Sequence, residues 1–206
     1  DKLTTVKGFY GFNSLLVGLG LGYYYELTLI MFVIAIFSGF LTLLITITLQ
    51  GILGKYYLPY LSIPFVLGVW IVLSAGGMLS GTEDNLSGVY ILNRLFTIGG
   101  HPLVILHQWW VGNVTSIFLN SYFLSLGAIF FQFNVFAGIV MAIALLFYSR
   151  IAFLLSMLGF AVAYMAYSFF GIDMNQLGYS YIGFNFILGA IAIGGYFYIP
   201  SRQSFF

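Results

Sequence analysis

The groups in this chain that could bind a solute are amides, hydroxyls and aromatic rings. Residues 11–13 and residues 183–185 both read Gly-Phe-Asn, and a leucine follows each triplet at the same offset, as Leu16 and Leu188. Amide and hydroxyl groups exchange hydrogen bonds with uncharged partners, and the face of an aromatic ring packs against flat ones. This chemistry is that of binding and passage rather than of bond breaking.

The two triplets belong to a longer duplication. Residues 1–22 and residues 173–194 are 172 positions apart and agree at six of twenty-two positions. The identities are Asp1/Asp173, Gly11/Gly183, Phe12/Phe184, Asn13/Asn185, Leu16/Leu188 and Gly22/Gly194. An internal copy in an apolar chain is typical of a transporter or channel fold built from two repeats, with the permeation site between them.

Each triplet predicts the start of a short helix. Gly11 and Gly183 allow a turn or a close approach of backbones, and Asn13 and Asn185 are suited to cap a helix. Such a half-helix would stop inside the membrane, which requires that its end be buried in protein or line a watery cavity. A glycine packing notch beside a buried asparagine is the alternative for either copy alone, and the repetition favours the half-helix.

Ring and leucine side chains accompany each triplet. Phe12 with Leu16, and Phe184 with Leu188, are spaced at i and i+4, so each pair covers one helical face. Two ordinary core contacts would give the same spacing, but the recurrence beside the proposed break favours a functional pair.

A second distinctive segment, residues 58–65, reads Leu-Pro-Tyr-Leu-Ser-Ile-Pro-Phe. Pro59 suits the first turn of a helix, whereas Pro64 would leave the carbonyl of Tyr60 without its donor. That carbonyl and the Ser62 hydroxyl could then accept hydrogen bonds from an N–H-bearing solute. Proline kinks without function, and a serine bonded to its own helix, are the alternatives.

The composition indicates an integral membrane protein. Hydrophobic residues make up 62% of the chain and charged residues 5%, against about 25% charged residues in soluble domains. Five uncharged stretches reach the ~20 residues that cross a bilayer: 27–54, 56–82, 95–149, 151–172 and 174–201. The net charge of +1 gives no support for a nucleic-acid partner, and the lack of cysteine excludes disulfides and thiolate metal sites.

These stretches predict an all-α, multi-spanning helical bundle. Spanning helices are expected at 27–49, 58–79, 124–148 and 151–170, a polar connection at 80–93, an interfacial segment at 94–122 and the second copy of the opening unit at 178–198. Residues 1–122 would be the C-terminal part of a first repeat, and residues 123–206 the N-terminal part of a second. Because the partners of several spans would lie outside residues 1–206, the chain is expected to be the middle of a longer protein.

The motifs together resemble those of the urea transporter family, passive urea channels built from two inverted halves that each contribute a half-membrane pore helix. That family carries Gly-(Phe/Tyr)-Asn in each half and an LPxxTxPF signature, which residues 58–65 match with Ser62 in place of the Thr. Its GQVxFxxNxxTG element is similar to residues 127–138, where Gly127, Phe131, Asn134 and Gly138 match and Ala128 and Ala137 replace the Gln and Thr.

The resemblance implies a pore and its lining. Phe131, Phe184 and Leu188 in the second half, and Phe12 and Leu16 in the first, would form a slot for planar urea, with Ser62 facing the narrow middle. The replacement by Ala128 would remove an amide that helps to dehydrate the solute at one mouth. The resemblance also implies a homotrimer and a multi-pass protein of the cell membrane, the inner membrane in a bacterium, with no cofactor and no metal.

Other classes of function predict different residues in the sequence. An ion-coupled secondary transporter for another small neutral solute could share the inverted repeat, but it usually carries ionisable groups within its spans, whereas the charges here lie at segment ends. An intramembrane enzyme would need a catalytic set, and His101 and His107 are six residues apart with no carboxylate near in sequence. We therefore expect a facilitative channel for urea or similar amides, and no enzyme; a scaffold role is the third alternative.

Overall fold

The computed structural model describes residues 9–26, 28–76, 91–113, 116–172 and 183–197. These residues form helices joined by short connections, and no strand occurs among them, in agreement with the expected all-α class. The chain divides into two compact units, residues 1–89 and residues 90–206. The repeat boundary expected between residues 122 and 123 concerns the duplicated sequence and stays a prediction.

The described residues of the first unit form three helices. These are α1 (Phe9–Tyr24), α2 (Leu29–Leu53, continued by a 3-10 turn over Gly54–Tyr56) and α3 (Ile63–Gly76). Thr28 caps α2, since its hydroxyl oxygen accepts the N–H of Met31 at 3.2 Å. The helix expected at residues 27–49 is therefore confirmed, and Leu29–Tyr56 is long and apolar enough to cross a membrane.

A buried row of hydroxyls follows one face of α2. Ser38, Thr42 and Thr46 each donate to the carbonyl four residues earlier, at 2.6–2.7 Å, which satisfies the hydroxyls within their own helix. Because they need no outside partner, α2 can pack this face closely against α3. A Cβ at Gly68 would collide with the Thr42 hydroxyl and lie 3.1 Å from a methyl of Val17 on α1.

The start of α3 differs from the expectation. The helix predicted over 58–79 begins only at Ile63, because Tyr57 (φ 57°) and Leu61 (φ 45°) adopt left-handed conformations that no helix contains. Pro59 therefore lies in the connection and not in a first helical turn. Pro64 takes that position instead, where a missing N–H costs little.

The second unit contains α4 (Ile91–Asn113), α5 (Ile117–Ala128), α6 (Val135–Tyr148), α7 (Arg150–Phe169) and α8 (Gly183–Ile191), which runs on into a π-helical turn over Ala192–Phe197. The helix expected at 151–170 is confirmed as α7, the other described helix that is long and apolar enough to span. Helix α4 bends at Gly100 (φ 65°) just before Pro102. The expected connection at 80–93 lies mostly outside the described residues.

The expected single helix over 124–148 is wrong. Residues 129–134 interrupt it, so α5 ends at Ala128 and α6 begins at Val135. Each end has its own cause, since Phe131 is left-handed (φ 58°) and the Asn134 side chain caps α6 by accepting the N–H of Ala137 at 2.7 Å. Two shorter helices therefore replace one span.

Aromatic packing holds the second unit together. Phe160 of α7 is fully buried and makes edge contacts with Phe118 and Tyr122 of α5, at ring-centroid distances of 5.3 and 5.5 Å. The Tyr122 hydroxyl shares a 2.8 Å hydrogen bond with Ser156, and Ile187 brings α8 into the same cluster. This core fixes α5 and α8 against α7, and with them the residues of the second Gly-Phe-Asn triplet.

Candidate functional site

The first Gly-Phe-Asn triplet lies inside a helix. Gly11 and Asn13 fall within α1, which is helical from Phe9 onward, so the expected helix start and Asn13 cap are wrong. A Cβ at Gly11 would meet nothing within 4 Å, so no close approach of backbones requires this glycine. Phe12 is 45% exposed whereas Leu16 is 6% exposed. Of this pair, the ring is therefore the more exposed side chain.

Asn13 joins the first triplet to the Leu-Pro-x-x-Ser segment. The asparagine is 1% exposed, and its amide donates to the carbonyl of Leu61 at 3.1 Å, next to the exposed Ser62. The Tyr60 carbonyl, expected to be free, accepts the N–H of Ile63 at 3.1 Å; that expectation is wrong because Pro64 lies at the start of α3 and not within it. Helix α1 and the segment before α3 thus meet at the Asn13–Leu61 hydrogen bond, across 48 residues of sequence and next to the Ser62 hydroxyl.

The second triplet packs against α5. Gly183 is buried at the beginning of α8 as described, and a Cβ there would lie 2.9 Å from the Cβ of Ser125 and 3.1 Å from the ring of Phe160. Glycine is therefore needed at this position, unlike at Gly11. The second triplet therefore contacts α5 at Ser125, which precedes Gly127, the first residue of the third motif, by two positions.

Two faces of α8 differ in burial. Gly183 and Ile187 face the unit's core, whereas Leu188 is 42% exposed and Phe184 is half-buried. Asn185 is exposed and borders an open groove between α7 and α8. Phe184 and Leu188 thus lie on the side of α8 that the packed core does not cover.

The third motif forms the crossing of α5 and α6. A Cβ at Gly127 would lie 3.0 Å from the carbonyl oxygen of Asn134, and a Cβ at Gly138 would lie 2.7 Å from the Cα of Phe123, with the Phe123 carbonyl closer still. The backbones touch because both crossing residues are glycines. Sequence analysis matched these positions but missed their structural role, although an asparagine directly before an apolar helix is a cap signal.

Phe131 occupies the turn between these helices. Its N–H donates to the carbonyl of Ala128 at 3.0 Å, and the N–H of Gln132 donates to that of Gly127 at 3.1 Å. A left-handed non-glycine residue costs ~1–3 kcal/mol and persists only where its surroundings hold it. Ala128 is 5% exposed, so the position that carries Gln in the resembling motif points into packed protein here.

Charge is absent from the interior of these elements. The sequences of α1, α2, α3, α5, α6 and α8 contain no Asp, Glu, Lys or Arg, and Glu26, Lys55 and Arg150 are exposed at helix ends. The described residues hold no group of three or more side chains suited to a metal ion. The site can therefore offer hydrogen bonds and ring faces to a ligand.

The two histidines of α4 do not form a catalytic set with described groups. His101 is exposed, while the ring of His107 packs edge-on against Phe136 at 6.2 Å. Burial lowers the pKa of His107 below its ordinary value, which keeps the imidazole neutral at pH 7.

Comparison with known families agrees with the motifs. The family model described as "Urea transporter" matches residues 1–206, the whole of the sequence. The chain therefore belongs to the urea transporter family, a family of membrane transport proteins and not of enzymes, with urea as the transported solute.

Proposed function

From this family membership, we propose that the protein forms a passive channel for urea or similar small planar neutral amides. Phe131, Phe184 and Leu188 of the second unit would contact the solute, and so would Phe12 and Ser62 of the first unit. Leu16 is buried and would support that contact rather than make it. We further propose assembly of two inverted repeats, a homotrimer and a location in the cell membrane. The observation that carries the channel proposal is the interruption of the α5–α6 pair at residues 129–134.

At residues 129–134, between the apolar helices α5 and α6, the backbone is not helical, and its N–H and C=O groups are not all paired in helical hydrogen bonds. Non-helical backbone at membrane depth is tolerated where it is buried in protein or lines a water-filled cavity. Each carbonyl oxygen has two lone pairs. The carbonyl of Gly127 accepts two N–H groups, those of Phe130 and Gln132, whereas the carbonyl of Ala128 accepts that of Phe131. The second lone pair of Ala128 would therefore be the one to accept from an amide N–H. The ring of Phe131, in the same turn, would offer a flat apolar surface to the solute.

Solvation energy explains why such a site selects a neutral amide. Removing an amide from water without new hydrogen bonds costs ~2–7 kcal/mol, and an isolated ion costs far more. A few oxygens can offset the first penalty and not the second. Ring faces add dispersion contacts for a planar solute without requiring charge.

The distribution of charge favours passive permeation. Ion-coupled transporters place ionisable groups within their spans, where binding of the ion changes the conformation. The interior of the described apolar helices carries none, and Lys55 and Arg150 are exposed at helix ends. A secondary transporter for another small neutral solute is the competing mechanism.

Stopped-flow urea flux in proteoliposomes carrying the full-length protein tests the site. Phe184→Ala and Ser62→Ala should lower the urea permeability, and Phe147→Ala, at a phenylalanine 88% exposed on α6, is the matched control that should not. A wild-type permeability no higher than that of empty liposomes would refute the channel. Equal permeabilities of all three variants and the wild type would refute the residue assignment.

A further inference from the structure

We propose that Asn13 is a positioning residue that holds Leu61 in its left-handed conformation and thereby fixes the peptide carrying Ser62. The inference deepens the channel proposal, because it rests on Ser62 as a solute-contacting group. It also gives the first Gly-Phe-Asn triplet a role different from the helix cap that its sequence predicts.

The hydrogen bond lies on the relevant peptide. Asn13 donates its amide to the Leu61 carbonyl at 3.1 Å, and that carbonyl belongs to the peptide group linking Leu61 to Ser62. An orientation imposed on this peptide plane sets the direction in which Ser62 leaves the turn. On its C-terminal side, Ser62 is held by a second hydrogen bond. Its carbonyl accepts the N–H of Val66 at 3.1 Å, which links Ser62 to the first turn of α3.

Leu61 needs an external restraint. Its φ of 45° is unfavourable for a residue with a Cβ, and its side chain is 55% exposed, so core packing does not hold it there. The turn bond from Ile63 to Tyr60, at 3.1 Å, closes the segment on one side. The Asn13 amide supplies a second restraint from another helix.

Asn13 is itself well placed to act as a fixed donor. It is 1% exposed within the packed face of α1, so its side chain has little freedom to leave the Leu61 carbonyl. Its Oδ1 atom has no hydrogen-bond partner in the described part of the chain. The amide nitrogen therefore carries the interaction that justifies a polar residue at this buried position.

A cysteine probe measures the position of residue 62 without requiring transport. The 206 residues contain no cysteine, so Ser62→Cys in the full-length protein can be modified by a water-soluble methanethiosulfonate, with the unsubstituted protein subtracted. Asn13→Leu, similar in shape but without a donor, should change the modification rate at Ser62→Cys. It should leave unchanged the rate at Tyr56→Cys, a probe in the 3-10 turn after α2 at a residue 72% exposed.

Rescue by glycine separates positioning from general packing. Because glycine adopts a left-handed φ without steric cost, Leu61→Gly added to Asn13→Leu should restore the wild-type modification rate. Leu58→Gly is the matched control at a leucine 56% exposed in the same segment and without a positive φ, and it should not restore the rate. If Asn13→Leu alone does not fold, the Asn13→Leu/Leu61→Gly protein should still fold and react as the wild type does.

Urea flux gives the functional readout. Asn13→Leu should lower the permeability by about tenfold, as expected when a strained conformation loses a buried hydrogen bond that offsets the strain, and Leu61→Gly should recover most of the loss. An unchanged modification rate in Asn13→Leu, or a rate that Leu61→Gly does not restore, would overturn the proposal. If wild-type flux is absent but the rates shift and recover, the channel proposal fails and the positioning role stands.

Discussion

The Gly138→Ala substitution tests the helix crossing that frames the interruption. The added Cβ would lie 2.7 Å from the Cα of Phe123 and closer to the carbonyl carbon and oxygen of that residue. All three atoms belong to the backbone of α5, so no rotation of a side chain can relieve the overlap. Helix α6 would have to move away from α5.

The expected loss follows from the rigidity of the crossing. Overpacking of a well-packed interior typically costs ~1–3 kcal/mol, and contact with backbone atoms places this case at the upper end. Alanine would by itself favour the helix by ~0.5–1 kcal/mol relative to glycine, which reduces the net loss only slightly. We therefore expect a destabilisation of ~2–3 kcal/mol, or a fall in Tm of ~4–12 °C for a protein of about this size.

Thermal unfolding of the purified protein in detergent measures this effect. Gly112→Ala is the matched control, since a Cβ at that exposed position on α4 would meet nothing within 4 Å, and its Tm should equal or exceed that of the wild type. A Gly138→Ala protein with the Tm of the control would show that α5 and α6 do not cross at this glycine.

Two smaller predictions concern polar groups beside the same helices. Asn134→Ala removes the cap of α6 and should destabilise the protein by ~1 kcal/mol. The control is Asn113→Ala, whose exposed amide donates to the carbonyl of Trp109 in its own helix. The Tm of Asn134→Ala should be the lower of the two, and equal values would contradict the cap. Tyr122→Phe removes the hydrogen bond to Ser156 and should cost ~1 kcal/mol in chemical unfolding. Tyr148→Phe, at a tyrosine 88% exposed, should be neutral, and similar losses in both proteins would argue against that hydrogen bond.

The long apolar helices could be predicted because charge marks their limits. Glu26 and Lys55 flank the segment that forms α2, and Arg150 is the first residue of α7. Between such markers an uninterrupted apolar stretch has its backbone hydrogen bonds satisfied only as a helix in a membrane. Composition therefore identified the helices, and their ends differ from expectation by only a few residues.

The interruption at residues 129–134 could not be predicted from periodicity. Polar residues occur in the turn, as Gln132 and Asn134, and also within α5, as Asn120 and Ser125, so no change of hydrophobic period marks the turn. Its causes are local and stereochemical, namely the left-handed Phe131, the Asn134 cap and the glycines Gly127 and Gly138 at the crossing. Motif matching found these residues without giving their structural reasons.

The role of Asn13 was missed because its partner is distant in sequence. Asparagine is a preferred helix cap, and that local preference gave the wrong position for the start of α1. The Leu61 carbonyl lies 48 residues away, beyond the reach of any local rule. The same left-handed Leu61 explains why α3 begins after, and not at, Pro59.

The central claim is that urea crosses passively, and uptake of labelled urea into proteoliposomes tests it most directly. The full-length protein should bring the internal urea concentration to the external value and no further, at the same rate with or without an imposed sodium or proton gradient. Accumulation above the external concentration, driven by either gradient, would contradict a passive channel.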